Sequence, residues 1–234
     1  MSQVNLYEHD SGPSCIRYPR GNGYGPEALT EFFNYGEAEL PGGKVPEEGA
    51  AVPVGKGRVI YAGSAEPVRK IKASILSIGT RLMEAVKAAR STEAANPDIS
   101  VAVADARWVK PLDTALLDEL ARRSDILVTV EEGSAGGFGE KVATYLTDSG
   151  ALDLGSVRFR SMVVPDIWIE QGPQKDQYDI AGLNAPHIQT KVERLADAVR
   201  KYQPRGVLGP MISGSSSATP SMLDLTDQTT GRQI

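Results

Sequence analysis

Between residues 57 and 203, short apolar runs alternate with helical stripes, and this alternation limits what the chain can fold into. Lys56–Tyr61 reads as an edge strand. Ala73–Ile78 is an apolar run ending at Gly79, which suits a strand buried on both faces. Leu82, Met83, Val86 and Ala89 then fall on one helical face. Ile99–Ala104 is the next strand, and Asp113 is a candidate N-cap for a helix striped by Leu116, Leu117 and Leu120. Ile126–Val130 is another buried strand, followed by a helix marked by Phe138, Val142 and Tyr145. Val157–Val164 forms a strand stopped by Pro165, and Ile188, Val192, Leu195 and Val199 mark a final helix. Strand, helix, strand in this order predicts an α/β fold: three layers, with a mostly parallel five-stranded sheet and helices on both faces.

The flanks read differently. Residues 1–25 look like the end of another unit, with Leu6-Tyr7 closing a helix and Asp10–Pro13 a turn. Ser14–Tyr18 reads as a short strand with no partner in the local sequence, so it is expected to belong to a truncated domain or to be borrowed by another body. Residues 26–56 are rich in Gly, Pro and Glu without sustained apolar period, and are read as a linker or surface-hugging connector. Residues 204–234 are dominated by Gly, Ser, Thr and Pro, and are expected to be a disordered tail.

Bulk properties remove several classes of function. A net charge of -5 gives no basic footprint for nucleic acid or for an anionic membrane. No apolar run approaches a membrane span, and Met1–Asn5 begins neither a signal peptide nor a transit peptide. Cys15 is the single cysteine, so neither a disulfide framework nor a cysteine-rich zinc site is expected. Cys15 is read as a small core residue, with a nucleophile as the alternative. His9 and His187 are the only histidines, which argues against a histidine metal site or a triad; His187 is expected in a solvated first helical turn.

Three places could carry chemistry. Gly133-Ser-Ala-Gly-Gly-Phe-Gly139 lies between a strand and a helix, where backbone N–H groups can cradle an anion. It matches neither G-x-G-x-x-G nor a Walker loop, so a tight ligand-free crossover is favoured over a nucleotide site. Glu131 and Glu132 end the preceding strand, where α/β folds place functional groups, yet alternation sends them to opposite faces. Trp108, after Asp105-Ala-Arg107, and Trp168, after Pro165-Asp166, are candidate interface anchors or packing residues. The third place is Cys15-Ile-Arg-Tyr-Pro-Arg-Gly-Asn22. Pro19 fixes its own φ and Gly21 permits a sharp exit, which presents the planar fork of Arg20 to a phosphate or carboxylate. A surface arginine paired with a nearby acid is the alternative reading.

These segments occur in a recognisable order. Cys15–Asn22, Gly55–Arg58, Ile75–Thr80, Val103–Asp113, Val128–Gly133, Gly136–Gly139, Pro165-Asp166 and Gly182–Asn184 together resemble the 1-deoxy-D-xylulose-5-phosphate synthase family of the transketolase superfamily. The resemblance covers about residues 5 to 200. It implies an enzyme that uses thiamine diphosphate and Mg2+ to condense pyruvate with glyceraldehyde 3-phosphate, giving 1-deoxy-D-xylulose 5-phosphate and CO2. Such enzymes feed isoprenoid and thiamine biosynthesis. It also implies that residues 1–25 are the last strand of a truncated pyrimidine-binding domain, and that residues 57–203 are a transketolase C-terminal domain. Arg20 matches the arginine that grips the acceptor's phosphate; strand alternation puts Arg17 on the opposite face before the proline bend and leaves it a structural role. The diphosphate-domain motif and the residues that handle the cofactor are missing, so no cofactor, metal or catalytic residue is expected in this chain, which is expected to be inactive alone. Expected partners are a homodimer mate or a full-length synthase subunit. The resemblance implies cytoplasm for a bacterial source and plastid for a photosynthetic eukaryote. The competing reading is a non-catalytic interaction or dimerisation module of a thiamine-diphosphate enzyme.

Overall fold

A computed structural model describes residues 12–21, 23–64, 70–153, 155 and 157–202. Five strands form one sheet: β1 (Arg58–Tyr61), β2 (Ile71–Ser77), β3 (Ile99–Asp105), β4 (Ile126–Ser134) and β5 (Arg158–Val164), in the order β1-β3-β2-β4-β5. The last four are parallel and β1 pairs antiparallel with β3. All five strands expected between residues 56 and 164 are present, so the mostly parallel α/β architecture is that read from the sequence. The three central strands are near-continuous runs of Ile, Val, Leu and Ala because both of their faces are covered.

Helices supply the cover. On one face α2 (Leu82–Ala95) and α6 (Ala185–Lys201) pack Val86, Ala89, Ile188 and Val192 against Ile75, Val103 and Val128. On the other, α3 (Thr114–Arg123) and α4 (Phe138–Asp148) pack Leu117, Leu120, Phe138 and Val142 against Leu76 and Leu127. Asp113 caps α3 as expected, its carboxylate accepting the Leu116 N–H at 3.2 Å.

Two helices were not foreseen. In the expected linker, Pro26–Phe33 forms α1, with Pro at its start and an αL residue, Asn34, at its end. The connector is strapped to the domain. Phe33 and Leu40 are buried, Arg58 bonds Glu39 at 3.0 Å and the Asn34 carbonyl at 2.9 Å, and Arg90 donates to the Glu31 carbonyl at 2.6 Å. The second is α5 (Gln174–Ile180), whose exposed polar sequence offers no apolar period to read.

Two expectations near the start are corrected. Ser14–Tyr18 forms no strand, because no described strand offers it a ladder. Without a ladder there is nothing to bury Cys15, which is exposed rather than a core residue. The helix end expected at Leu6-Tyr7 and the tail expected over 204–234 lie outside the described residues. No helix among the described residues is long and apolar enough to cross a membrane.

Candidate functional site

The strand order reverses between β2 and β4: β2 leads through α2 to β3 on one side, while β4 leads through α4 to β5 on the other. The carboxyl ends of such a pair flank the crevice where α/β sheets bind ligands. Here those ends carry Gly79-Thr80-Arg81 and Glu131-Glu132-Gly133.

The two glutamates separate, as alternation requires. Glu131 is buried and turns toward α4, where its carboxylate accepts the N–H groups of Phe138 at 3.1 Å and Gly139 at 2.8 Å. The glycine-rich turn is thus an anion cradle filled by the chain's own carboxylate. Glycine is required for this close approach: a Cβ on Gly137 would lie 2.6 Å from Glu131 Oε2. Glu132 faces the other way and accepts the hydroxyl of Tyr178 in α5.

Around Tyr178 the polar groups interlock. The Arg81 guanidinium, largely buried, lies 3.6 Å from the Tyr178 ring centroid, a cation–π stack in a desolvated place. Its Nη1 reaches Asn184 Oδ1 at 3.5 Å. Gln174 donates from Nε2 to the Tyr178 hydroxyl and to the Arg20 carbonyl, each at 3.2 Å. Tyr24 donates to the Thr80 carbonyl at 3.2 Å, and burial pushes its phenol above the usual value despite the opposing charge of Arg81. Arg20 and Tyr24 are therefore each tied to the carboxyl rim of the sheet.

Arg20 itself is exposed, and its guanidinium forms no ion pair with any described residue. The alternative of a surface ion pair is thus not realised among the described residues. Arg17 is likewise exposed on the same segment. His187 sits in the first turn of α6, exposed, with Nε2 3.0 Å from Asp179 Oδ1, and its hydrogen bond holds the Asp179 carboxyl below the usual range. Trp168 is 86% exposed after β5, whereas Trp108 is partly buried and its indole N–H is enclosed without a partner.

Sequence reasoning did not single out Arg81, Gln174, Tyr178 or Tyr24. The available signal for Arg81 was a cation just past a buried strand; the other three gave none, since their partners lie far along the chain.

The glycine-rich turn does not fit the diphosphate of thiamine diphosphate. A diphosphate at the glycine turn would meet the Glu131 carboxylate in the cradle it needs. No group of three or more His, Cys, Asp or Glu among the described residues is placed to hold a metal ion. What the rim offers is an exposed cation on a segment whose backbone is supported, suited to binding an anion rather than to proton transfer.

Residues 64–188 match the family model described as transketolase, C-terminal domain, which is more than half of the 234 residues. Among solved structures, one described as a split gene transketolase, inactive beta4 tetramer, is similar with a TM-score of 0.54 and 28% sequence identity. The match covers 66% of this chain and 47% of that one, so the chain spans about half the length of that relative.

Proposed function

The chain belongs to the transketolase C-terminal domain family, and from that premise we propose that it is the C-terminal part of a 1-deoxy-D-xylulose-5-phosphate synthase. The complete enzyme condenses pyruvate with glyceraldehyde 3-phosphate, giving 1-deoxy-D-xylulose 5-phosphate and CO2. In this reading the cofactor and its Mg2+ are held by domains outside the chain. This chain contributes one substrate contact, the guanidinium of Arg20 on the acceptor's phosphate, and the module that carries it. The observation that carries the reading is that Arg20 is exposed, free of ion pairs with the described residues, and held by its backbone at the carboxyl rim. A planar fork so presented suits a phosphate dianion, which it can bind through two parallel hydrogen bonds.

The test is complementation. The chain is co-expressed with a polypeptide carrying the two cofactor-binding domains of a synthase of this family, and product formation is measured. The paired proteins should make 1-deoxy-D-xylulose 5-phosphate, and the chain alone should not. Arg20→Ala should raise the KM for glyceraldehyde 3-phosphate about tenfold or more, the loss expected for a charged hydrogen-bonded pair. Pyruvate decarboxylation by the isolated chain would contradict the proposal, and so would a paired enzyme that accepts ketose phosphates but not pyruvate.

A second reading is supported by the neighbouring structure, whose description is of an inactive tetramer. Here the chain serves as a non-catalytic interaction or dimerisation module. Under it, the chain would bind a full-length synthase while the Arg20→Ala change leaves all kinetic constants of the assembly unaltered.

A further inference from the structure

We propose that Gln174 is a positioning residue for Arg20, and that α5 fixes the phosphate-gripping guanidinium through the backbone of the residue that bears it. The inference rests on the reading of Arg20 given above. The segment carrying Arg20 has no strand pairing and is exposed along nearly its whole length, so its conformation must be set from outside. Two devices set it. Gly21 adopts φ 119, a region that other residues rarely enter, and this turns the chain away immediately after Arg20. The side-chain amide of Gln174 lies against that turn and donates to the Arg20 carbonyl at 3.2 Å.

Gln174 is itself held. Its Nε2 also donates to the Tyr178 hydroxyl, which donates to Glu132 near the end of β4, and the Tyr178 ring is covered by Arg81 in the turn between β2 and α2. Both partners of the amide nitrogen are acceptors, so the amide has one orientation that satisfies both of them. The chain of contacts runs from the two rigid strand ends at the sheet's crevice, through Glu132 and Tyr178, to the peptide that follows Arg20. A flexible arginine on a free segment must be ordered when it binds; one whose backbone is already fixed forfeits less. Gln174 thus contributes to the affinity for a phosphorylated acceptor without touching it.

Gln174→Glu is the close test, because an ionised carboxylate of the same shape cannot donate to the Arg20 carbonyl; Gln174→Ala is the second variant. In the 234-residue chain, tryptic cleavage at the Arg20–Gly21 bond should speed up several-fold in both. In the complemented enzyme, the KM for glyceraldehyde 3-phosphate should rise about fivefold, the effect of one net hydrogen bond. The KM values for pyruvate and for unphosphorylated glyceraldehyde should not move, which a general structural defect would not spare. Cleavage at the wild-type rate, or an unchanged phosphorylated-acceptor KM while Arg20→Ala still raises it, overturns the role of Gln174. An Arg20→Ala enzyme with an unchanged acceptor KM overturns the reading of Arg20 instead.

Discussion

The carboxylate of Glu131 accepts the backbone N–H of Gly139 at 2.8 Å, eight residues further along the chain, and so caps α4 from the strand that precedes it. Its other oxygen takes the Phe138 N–H. A turn of this composition invites assignment as a phosphate loop, yet the two N–H groups where it enters α4 are already spent on a buried side chain.

Removing that side chain should destabilise the fold. Glu131→Ala strands two buried donors, and we expect a loss of about 2–3 kcal/mol in urea unfolding with an unchanged m-value. Gly137→Ala pushes a methyl to 2.6 Å from Glu131 Oε2 and should cost about 1–3 kcal/mol alone. In the double variant the clash has no target, so the two losses should fall short of additivity. Strict additivity would show that the glycine is not there to accommodate Glu131.

Asp113 gives a pH signature. Burial is the largest single influence on its carboxyl and would raise the pKa, but the Gly57 and Leu116 N–H groups and the Lys56 ammonium together outweigh it. The folded-state value therefore lies below the ordinary 3.8. A depressed carboxyl contributes stability that is present above the unfolded pKa and is lost as pH falls through the folded one. Asp113→Ala should cost about 1 kcal/mol at neutral pH, as an N-cap does. The gap to wild type should close below about pH 4, read as the difference between denaturation midpoints across pH. A gap independent of pH would mean that the charge of Asp113 contributes nothing.

Arg81 should resist conservative replacement. Its flat guanidinium covers the Tyr178 ring at 3.6 Å, a geometry that an ammonium does not reproduce. Arg81→Lys is expected to lose about 1–2 kcal/mol of stability and to weaken the near-ultraviolet circular dichroism of the tyrosines. An unchanged spectrum and midpoint would remove the stack from the account of how α5 is held.

Trp168 reports on assembly. At 86% exposure it should emit like indole in water and be quenched readily by iodide, while the partly buried Trp108 is shielded. If the carboxyl rim is where the cofactor-binding domains of the proposed synthase dock, complementation should shift the emission of a Trp108→Phe chain to the blue and reduce quenching. Emission that stays unaltered in an active complex would place the interface elsewhere.

The legible part of this molecule is what repeats locally. Five strands and the four longer helices announce themselves through runs such as Ile126–Val130 and stripes such as Ile188, Val192 and Leu195. The opposite directions of Glu131 and Glu132 follow from pleat alone. The short helix α1 escaped because eight residues hold barely two turns of pattern, although Pro26 at its start and the triad Leu29, Phe32 and Phe33 were present as cues. Helix α5 has no buried residue and so no period. The candidate site was the least legible. Gln174 meets the carbonyl of Arg20 across 154 positions, and Tyr178 meets Glu132 across 46. Contacts at that separation exist only once the sheet has placed its strand ends side by side. The segment Ser14–Tyr18 erred in the other direction: its residue types suit a strand, but composition supplies no neighbour.

The antiparallel direction of β1 has a practical outcome. Tyr24 is anchored at Thr80, and Arg58 begins β1 opposite Asp105, so the connector departs from the carboxyl rim and comes back to it. Such an excursion never has to bridge the thickness of the domain. Extra residues spliced into its exposed Glu47–Ala50 stretch should therefore be tolerated for a small loop-closure cost, which makes it a natural place for a fluorophore tag or affinity epitope.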